Sequence, residues 1–425
     1  MPKHSKENQP PKDRAFLVFV NPDEEEDLYV EDELEGLSEA AQVEVVGKMR
    51  QRLDRPTTAS YLGSGKVQEL AAHVVDARAD VVLFDGDLSG IQARNIQDVI
   101  KRPVIDRTQL ILDIFARRAR TREGMLQVEL AQLSYMMPRL MSVYTKFERQ
   151  KGGIGMRGPG ETKLETDRRM VRDRIAKLKD DIEEVKRHRE HQRAARRKFP
   201  FPFAAICGYT SAGKSTLMNR LCGTDLLADA MPFATLDPTT RKVELPDGYS
   251  LFLTDTVGFI RNLPTHLVAA FRSTLEEVTS ADIVLHVIDA SIPEWDLQRD
   301  AVIETLESLN AGEKPTLTIF NKVDLLDVVQ RAELEEMLPR FAPCVTISAT
   351  SGAGVPEMLA KVKEMVQEFL GRVTALVPYS QSGLVEECYR YGRVHKVDYR
   401  DDGILIEAEL VKEMRGLLAP YRVGD

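Results

Sequence analysis

A glycine-rich segment between a predicted strand and a predicted helix is the strongest chemical signal in the chain. It is GYTSAGKST, residues 208–216, and it matches the pattern GxxxxGK[ST]. Gly208 and Gly213 let the backbone curl so that its N–H groups face a phosphate, and the helix N-terminus adds affinity for anions. Lys214 can reach the β- and γ-phosphates, and the hydroxyl of Ser215 can bind Mg²⁺. The segment therefore predicts a nucleoside triphosphate site of the P-loop type.

A second phosphate-binding segment, DTVGF (255–259), lies some forty residues further on, at the end of the predicted strand LFLTD. Asp255 is the type of carboxylate that holds Mg²⁺ through water, and the amide of Gly258 can donate to the γ-phosphate. A DxxG sequence on its own is common, but this one follows a P-loop and ends a strand. The two segments together predict a site for a nucleoside triphosphate with Mg²⁺.

The identity of the base is predicted by two segments that follow later strands, NKVD (321–324) and SATSG (348–352). Asp324 can accept from both N1–H and N2–H of guanine, and Asn321 can reach its N7 edge. Adenine lacks those two donors, so ATP would leave the carboxylate unpaired at a considerable cost. A backbone N–H of the second segment could meet the guanine O6. The four segments therefore predict GTP rather than ATP.

A switch between nucleotide states requires a threonine between the P-loop and DTVGF. Such a threonine binds Mg²⁺ while a γ-phosphate is present and lets go after hydrolysis. The segment PFATLDPTTRK (232–242) offers Thr235, Thr239 and Thr240, and the residues alone do not select among them.

The residue that follows DTVG is Phe259. Ras-type enzymes keep a glutamine there to orient the attacking water, and a phenyl ring cannot do this. The catalytic group is therefore unknown from the sequence. We expect slow intrinsic hydrolysis, with the missing group supplied elsewhere or by a partner.

The elements that must position these residues are predicted over residues 199–371. Helical stretches alternate there with five predicted strands, FAAIC (203–207), LFLTD (251–255), IVLHVID (283–289), TLTIF (316–320) and VTIS (345–348). Repeated strand–helix units of this kind make one doubly wound domain, so we expect a P-loop GTPase domain.

The chain before this domain divides into a tail and a smaller α/β unit. Residues 1–13 read as a disordered tail. Residues 14–116 contain predicted strands at 15–20, 42–46, 81–85 and 103–106, separated by helical stretches, so we expect a small parallel sheet. No glycine fingerprint follows the first strand, and a dinucleotide site there has no sequence support.

Residues 117–198 are predicted to form a helical hairpin. One helical pattern runs from Arg122 to Arg149 and is broken by Pro138, and the glycine-rich loop GGIGMRGPG (152–160) follows. Residues 162–197 then lack Gly and Pro. Their apolar residues form a seam at heptad spacing, namely Val171, Ile175, Leu178, Ile182 and Val185. Two antiparallel helices that pack on each other fit this pattern.

The charge of the chain is unevenly distributed. Its net charge of -9 argues, taken alone, against a nucleic-acid partner. Residues 117–198 nevertheless carry 23 Lys and Arg against 12 Asp and Glu, a net charge of +11. Two basic clusters stand out, RRARTR (117–122) and KRHREHQRAARRK (186–198). The hairpin is therefore predicted to contact an RNA backbone through phosphates, without base-specific readout.

Composition excludes several classes of protein. The 4 cysteines lie far apart without a CxxC pair, which argues against a disulfide framework or a zinc site. No apolar run approaches the roughly 18 residues of a membrane-spanning helix, and the polar, Pro-rich start is no signal peptide. We expect a cytoplasmic protein, with a peripheral position at the membrane as the alternative. Residues 372–425, with ALVPY, HKVDY and ILIEAEL as strands, are predicted to form a small α+β domain.

The sequence resembles the HflX family, translational GTPases grouped with the Obg branch. The likeness covers most of the chain and rests on GYTSAGKST, FATLD (233–237), DTVGF, NKVD and SAT. It rests as firmly on YLGSGKVQEL (61–70), VIDRTQLILDIFARRARTREGMLQVELAQL (104–133) and GGIGMRGPGETKLETDRR (152–169), which are more diagnostic than any P-loop. The resemblance implies a ribosome-stimulated GTPase that binds the large ribosomal subunit and splits stalled or idle ribosomes.

The resemblance also implies that Thr235 of FATLD is the switch threonine. The predicted Mg²⁺ ligands are then Ser215, Thr235 and, through water, Asp255. The predicted GTP-binding residues are Gly208, Tyr209, Thr210, Ser211, Ala212, Gly213, Lys214, Ser215, Phe233, Ala234, Thr235, Leu236, Asp237, Asp255, Thr256, Val257, Gly258, Asn321, Lys322, Val323, Asp324, Ser348, Ala349 and Thr350.

One position departs from the family pattern. The family's P-loop usually reads GYTNAGKS, and this chain has Ser211 in place of that Asn. In potassium-activated GTPases an Asn there binds the monovalent ion that substitutes for an arginine finger. The serine oxygen is a shorter and weaker substitute, which argues against potassium stimulation of this protein.

Two other functions stay open at this point. One is a GTPase of large-subunit assembly, which acts on precursor particles, and the other is a nucleotide-gated module that regulates other proteins. The basic hairpin favours the two ribosomal functions, since a regulator needs no such patch. We expect a monomer.

Overall fold

The computed structural model describes residues 12–20, 27–53, 55–150, 159–196, 201–223, 232–233, 238–261, 275 and 277–423 of the chain. Most of the predicted tail 1–13 and of the glycine-rich loop 152–160 lies outside these ranges. The described residues fall into two compact units. The first holds the residues up to Ile182 together with 232 and 233, and the second holds the others.

The first unit contains the parallel sheet that the strand–helix alternation predicted. Its strand order is β2-β1-β3-β4, with β1 (Arg14–Val20), β2 (Glu44–Gln51), β3 (Val81–Phe84) and β4 (Val104–Asp106). The helices are α1 (Asp27–Ala40), α2 (Ser64–Asp76), α3 (Gly90–Ile100) and α4 (Arg107–Arg118). The strand predicted at 42–46 extends to Gln51, because β2 is an edge strand whose polar residues can stay in water.

The helical hairpin consists of α5 (Arg122–Gln150) and α6 (Pro159–Arg196). The predicted break at Pro138 is wrong, because α5 continues through the proline and packs against α3 and α4. Tyr135 and Arg139 lie on either side of Pro138, and both donate to the buried carboxylate of Asp106. These bonds hold the turns that flank the proline, where a backbone hydrogen bond is lost.

The seam predicted on α6 faces inward. Leu178 is fully buried, and the other four seam residues are half-buried. The guanidinium of Arg174 donates to both carboxylate oxygens of Glu129 on α5, each at 2.7 Å. A two-point ion pair therefore joins the two helices, and the apolar seam lies on a less exposed side of α6.

The second unit contains a six-stranded sheet of order β10-β9-β8-β5-β7-β6. Its strands are β5 (Phe203–Gly208), β6 (Thr239–Glu244), β7 (Ser250–Asp255), β8 (Ile283–Asp289), β9 (Thr316–Asn321) and β10 (Cys344–Thr346). All pairs are parallel except β6–β7, an antiparallel hairpin at the edge. Its described helices include α7 (Lys214–Cys222), α8 (Trp295–Ser308), α9 (Val328–Met337) and α10 (Val355–Phe369). The predicted doubly wound fold is confirmed, and β6 is an addition.

The C-terminal part of the second unit is an antiparallel sheet of order β11-β13-β12. It comprises β11 (Gly371–Val377), β12 (Arg393–Arg400) and β13 (Gly403–Leu410), with helices α11 (Ser382–Tyr391) and α12 (Lys412–Leu418). Ile406, Ala408 and Leu410 of the central strand pack with these helices into a core of their own. The small α+β arrangement predicted from three short strands is present.

Candidate GTP-binding site

The P-loop runs from the end of β5 to the first turn of α7. Gly208 and Gly213 have φ values of +151° and +93°, which side chains rarely tolerate. A Cβ at Gly208 would overlap the carbonyl oxygen of Val287, and one at Gly213 would overlap the side-chain amide of Asn321. The two glycines that the motif demands are therefore also demanded by the packing of β8 and β9.

Lys214 opens α7 and is buried. Its Nζ donates to the carbonyl oxygens of Gly208 (3.1 Å) and Tyr209 (2.7 Å). Burial lowers the pKa of this ammonium from 10.5 to about 8, although the nearby carboxylate of Asp255 acts in the opposite direction. The P-loop thus holds a desolvated positive charge beside two of its own carbonyl oxygens, and this charge suits a phosphate.

Ser215 and Asp255 meet at the expected metal position. The hydroxyl of Ser215 donates to Oδ2 of Asp255 at 2.9 Å, and Asp255 is fully buried at the end of β7. One hydroxyl and one carboxylate fit Mg²⁺, which takes oxygen ligands and completes its shell with phosphate oxygens and water. No cluster of three or more His, Cys, Asp or Glu that could hold a metal occurs among the described residues. The hydroxyl of Ser215 and the carboxylate of Asp255 leave ligand positions for phosphate oxygens, and so they fit a metal that arrives with a nucleotide.

The segment after Asp255 lies along the P-loop. The amide of Thr210 donates to the carbonyl of Phe259 at 2.8 Å, and the amide of Phe259 donates to the carbonyl of Gly208 at 3.1 Å. Phe259 is buried, with 2% of its surface exposed. The hydroxyl of Tyr209, also buried, accepts a hydrogen bond from the amide of Arg261 at 2.7 Å. Two backbone hydrogen bonds therefore join the P-loop to the DTVGF segment, and one side-chain bond joins it to Arg261 just beyond that segment.

Asn321 connects the two sides of the site. Its Nδ2 donates to the carbonyl of Ala212 in the P-loop at 2.8 Å, and its Oδ1 accepts from the amide of Ala349 at 2.9 Å. The side chain that was predicted to reach guanine N7 is thus engaged with the backbone on both sides. Asp324, by contrast, has an exposed side chain. Its carboxylate stands where a ligand could reach it.

Two residues near the base side carried no signal in the sequence. Arg220, in the last turn of α7, donates from Nε to the carbonyl of Ala349 at 3.0 Å and also donates to the carbonyl of Thr350. Asp289, at the end of β8, pairs with Lys322 Nζ at 2.5 Å. Arg220 bonds a loop 129 residues away, so no local pattern could have revealed it.

The switch segment is only partly described. Ala234, Thr235, Leu236 and Asp237 lie outside the described residues. Phe233 belongs to the first unit, where it is buried and its ring lies 4.6 Å from that of Phe115, edge to face. Its φ of +59° is unusual for an aromatic residue. Phe233 was predicted to bind GTP, and the structure gives its side chain a packing role.

Comparisons with known proteins match most of the chain. A model described as the N-terminal region of GTP-binding GTPases matches residues 29–116, the corresponding middle region matches 118–196, and a 50S ribosome-binding GTPase model matches 203–322. The GTPase HflX of Caldanaerobacter subterraneus subsp. tengcongensis is 43% identical over 97% of this chain and 94% of its own. The chain belongs to the HflX family of GTPases.

Other HflX proteins agree with this assignment. The GTPase HflX of Escherichia coli K12 is 42% identical over 92% of each chain. Among solved structures, the crystal structure of SsGBP with GDP superposes with a TM-score of 0.49 at 25% identity, over 84% of this chain and 99% of that one. The family resemblance inferred from the sequence is confirmed, and the protein is a GTPase of a ribosome-binding family.

The surface of the helical hairpin is mixed in charge over its described part. Between residues 165 and 187 of α6, 8 side chains are Lys or Arg and 7 are Asp or Glu. Arg117 and Arg122 at one basic cluster, and Arg187 in the other, are exposed. The positive surplus of the hairpin therefore comes from its clusters rather than from the middle of α6. Within the described residues, no helix has the length and apolar character needed to cross a bilayer.

Proposed function

We propose that this GTPase binds the large ribosomal subunit and separates stalled or idle ribosomes into subunits. The observation that carries the proposal is the match of residues 118–196 to a GTPase middle-region model and of residues 203–322 to a 50S ribosome-binding GTPase model. The first range is the basic hairpin and the second is the nucleotide domain. An energy-using factor needs both parts, because a nucleotide switch without an RNA-binding element could not act on a ribosome.

The nucleotide site supports binding of GTP with Mg²⁺. In our proposal the P-loop amides and Lys214 bind the phosphates. The hydroxyl of Ser215, Thr235 and, through water, the carboxylate of Asp255 would hold Mg²⁺ in the GTP state. The metal would neutralise part of the phosphate charge. Asp324 pairs with the guanine N1–H and N2–H groups.

Hydrolysis by the isolated protein is proposed to be slow. Phe259 occupies the position of the water-orienting glutamine, its ring is buried, and its carbonyl is bonded to the P-loop. Neither its side chain nor its carbonyl is placed to orient a water molecule. The ribosome is therefore proposed to complete the catalytic geometry, so that hydrolysis follows binding.

The hairpin is proposed to contact rRNA through its basic clusters. Arg122 begins α5 and Arg187 lies near the far end of α6, and both are exposed. Arginine binds phosphate with two parallel donors, and contacts of this kind weaken as salt rises. We propose a monomeric factor that approaches the large subunit with this surface.

Sedimentation of ribosomes with the protein tests this function. With GTP or a non-hydrolysable analogue, we expect the protein to sediment with large subunits and the fraction of intact ribosomes to fall. The variant Arg122→Glu with Arg187→Glu should bind at least about 10-fold more weakly at moderate salt, with unchanged intrinsic GTP hydrolysis.

The matched control is Arg340→Glu with Lys412→Glu, two exposed basic residues outside the hairpin. It should behave as the wild type. Binding only to precursor particles, with mature ribosomes left intact, would instead favour the assembly function. Unchanged subunit ratios without any co-sedimentation would remove both ribosomal functions.

A further inference from the structure

The P-loop and the DTVGF segment are joined in a way that the sequence motifs do not require. The backbone bonds between Gly208, Thr210 and Phe259 make Tyr209 and Phe259 neighbours in a short parallel bridge. Beyond this bridge the chain is held once more, by the bond from the amide of Arg261 to the hydroxyl of Tyr209. Tyr209 thus lies between the two residues whose backbones bond Phe259, and its own side chain contacts the segment two residues further on.

Gly258 lies at the start of the held stretch and packs closely on the P-loop. A Cβ added to it would lie 2.9 Å from Cγ2 of Thr210 and 3.0 Å from Nζ of Lys214. The glycine that is expected to donate to the γ-phosphate and the lysine that is expected to bind it are therefore already side by side. Any movement of residues 258–261 away from the P-loop would separate these two groups.

We propose that Tyr209 is a positioning residue for recognition of the γ-phosphate. Its hydroxyl holds the amide of Arg261, which keeps residues 258–261 on the P-loop and the amide of Gly258 beside Lys214. Hydrogen-bond donors that are already in place before the phosphate arrives need no rearrangement on binding, and this preorganisation raises the affinity. In this proposal the hydroxyl of Tyr209 does not bind the nucleotide and acts only by positioning the amide of Gly258.

The proposal separates GTP from GDP. GDP lacks the γ-phosphate and so has no bond with the amide of Gly258 to lose. The α- and β-phosphates are expected on the amides of the P-loop itself, whose curl depends on Gly208 and Gly213. Loss of the Tyr209 hydroxyl should therefore weaken GTP and leave GDP unchanged, whereas damage to the P-loop would weaken both.

The variant Tyr209→Phe tests the hydroxyl and little else. The phenyl ring is kept, so the buried packing at this position, of which 4% is exposed, is retained. We expect affinity for a non-hydrolysable GTP analogue to fall by about 2- to 10-fold, the range for one hydrogen bond, with GDP affinity unchanged. The ratio of the two dissociation constants, measured with fluorescent nucleotides, is the readout.

The matched control is Tyr379→Phe, which removes a hydroxyl that donates to the carbonyl of Arg400 in the C-terminal sheet. It should leave both affinities unchanged. A thermal unfolding curve checks that each variant is folded. If Tyr209→Phe weakens the GTP analogue and GDP equally, the residue has a merely structural role. If neither affinity changes, the hydroxyl has no role in binding. Either result would overturn the proposal.

Discussion

The hydroxyl of Tyr249 donates to the carboxylate of Glu409. Tyr249 lies in the turn between β6 and β7, and Glu409 lies on β13 of the C-terminal sheet. The same hydroxyl accepts from Gln367 of α10 at 3.0 Å and from Arg393 of β12 at 3.2 Å. The β6–β7 hairpin, which leads into the DTVGF segment, is therefore fastened to the C-terminal sheet through the buried side chain of Tyr249.

The hydrogen bonds to Glu409 predict that the stability of the protein depends on pH. Burial raises the pKa of Glu409, but hydrogen bonds from Tyr249 and His395 outweigh it and hold the pKa below the ordinary 4.5. A carboxylate with a lowered folded pKa stabilises the protein above its unfolded pKa, and this stabilisation is lost as the pH falls through the folded value. The stability gap between the wild type and Glu409→Gln should therefore shrink from about pH 6 to about pH 3.

Urea unfolding at a series of pH values measures this gap. At neutral pH, Tyr249→Phe should cost about 1–2 kcal/mol, because a partly buried carboxylate loses a donor. The exposed pair of Asp398 and Arg400 offers a control, since Asp398→Asn should leave the unfolding free energy nearly unchanged. A gap between wild type and Glu409→Gln that is constant with pH would contradict the role given to Glu409.

Nucleotide binding should take up a proton at alkaline pH. The pKa of Lys214 is lowered to about 8 by burial, so the nucleotide-free protein loses this proton above that pH. Phosphate favours the charged ammonium and raises its pKa again. GDP binding should therefore take up close to one proton at about pH 9 and almost none at about pH 7. Calorimetry in two buffers of different ionisation enthalpy counts the protons, because the binding heat differs between the buffers only when a proton is taken up. Equal binding heats in the two buffers at about pH 9 as well as at about pH 7 would refute the lowered pKa of Lys214.

Arg220 should affect GDP and GTP equally. Its guanidinium donates to the carbonyls of Ala349 and Thr350, which places the loop expected at the guanine O6. Both nucleotides share that base, so Arg220→Ala should weaken each by the same factor, about 3- to 10-fold. Arg340→Ala is the control, being an exposed arginine of the same domain. A loss confined to GTP would argue against a base-side role.

The response to potassium should depend on Ser211. Its φ of +62° lies in the left-handed region, where Asn is more readily accommodated than Ser. We expect the wild type to hydrolyse GTP equally well in potassium and sodium buffers. Ser211→Asn should fold at least as stably and hydrolyse GTP faster in potassium. Strong potassium stimulation of the wild type would show that serine suffices.

The sequence predicted the residues whose chemistry fixes both type and spacing. Phosphate binding imposes glycines and a lysine at set intervals, and strand ends bring Asp255 and Asn321 to the same edge of the sheet. The real partners of Asn321 were not predictable, because an amide at that place suits guanine N7 and the backbone equally well. Only the fold decides that it bridges Ala212 and Ala349.

The sequence did not predict β6, the continuity of α5, or the contacts of Arg220 and Tyr249, for a different reason. In β6, Val243 is the one buried residue, so TTRKVE shows no apolar alternation. The continuity of α5 at Pro138 depends on Asp106, more than thirty positions earlier in the chain, which no helix pattern contains. Arg220 and Tyr249 form hydrogen bonds with groups that are distant in the sequence, and the pattern of apolar residues gives no information about such bonds.

The β6–β7 hairpin sets a fixed distance within the molecule. Thr239 pairs with Asp255 at the nucleotide end, and Tyr249 is anchored at the other. The six residues of β7 span about 20 Å between these points. The bonds of Tyr249 hold the turn of this hairpin and so oppose a change in the register of β6 on β7. A displacement of Glu409 in the C-terminal sheet would therefore act, through Tyr249, on the strand that ends in Asp255, the carboxylate expected to hold the metal.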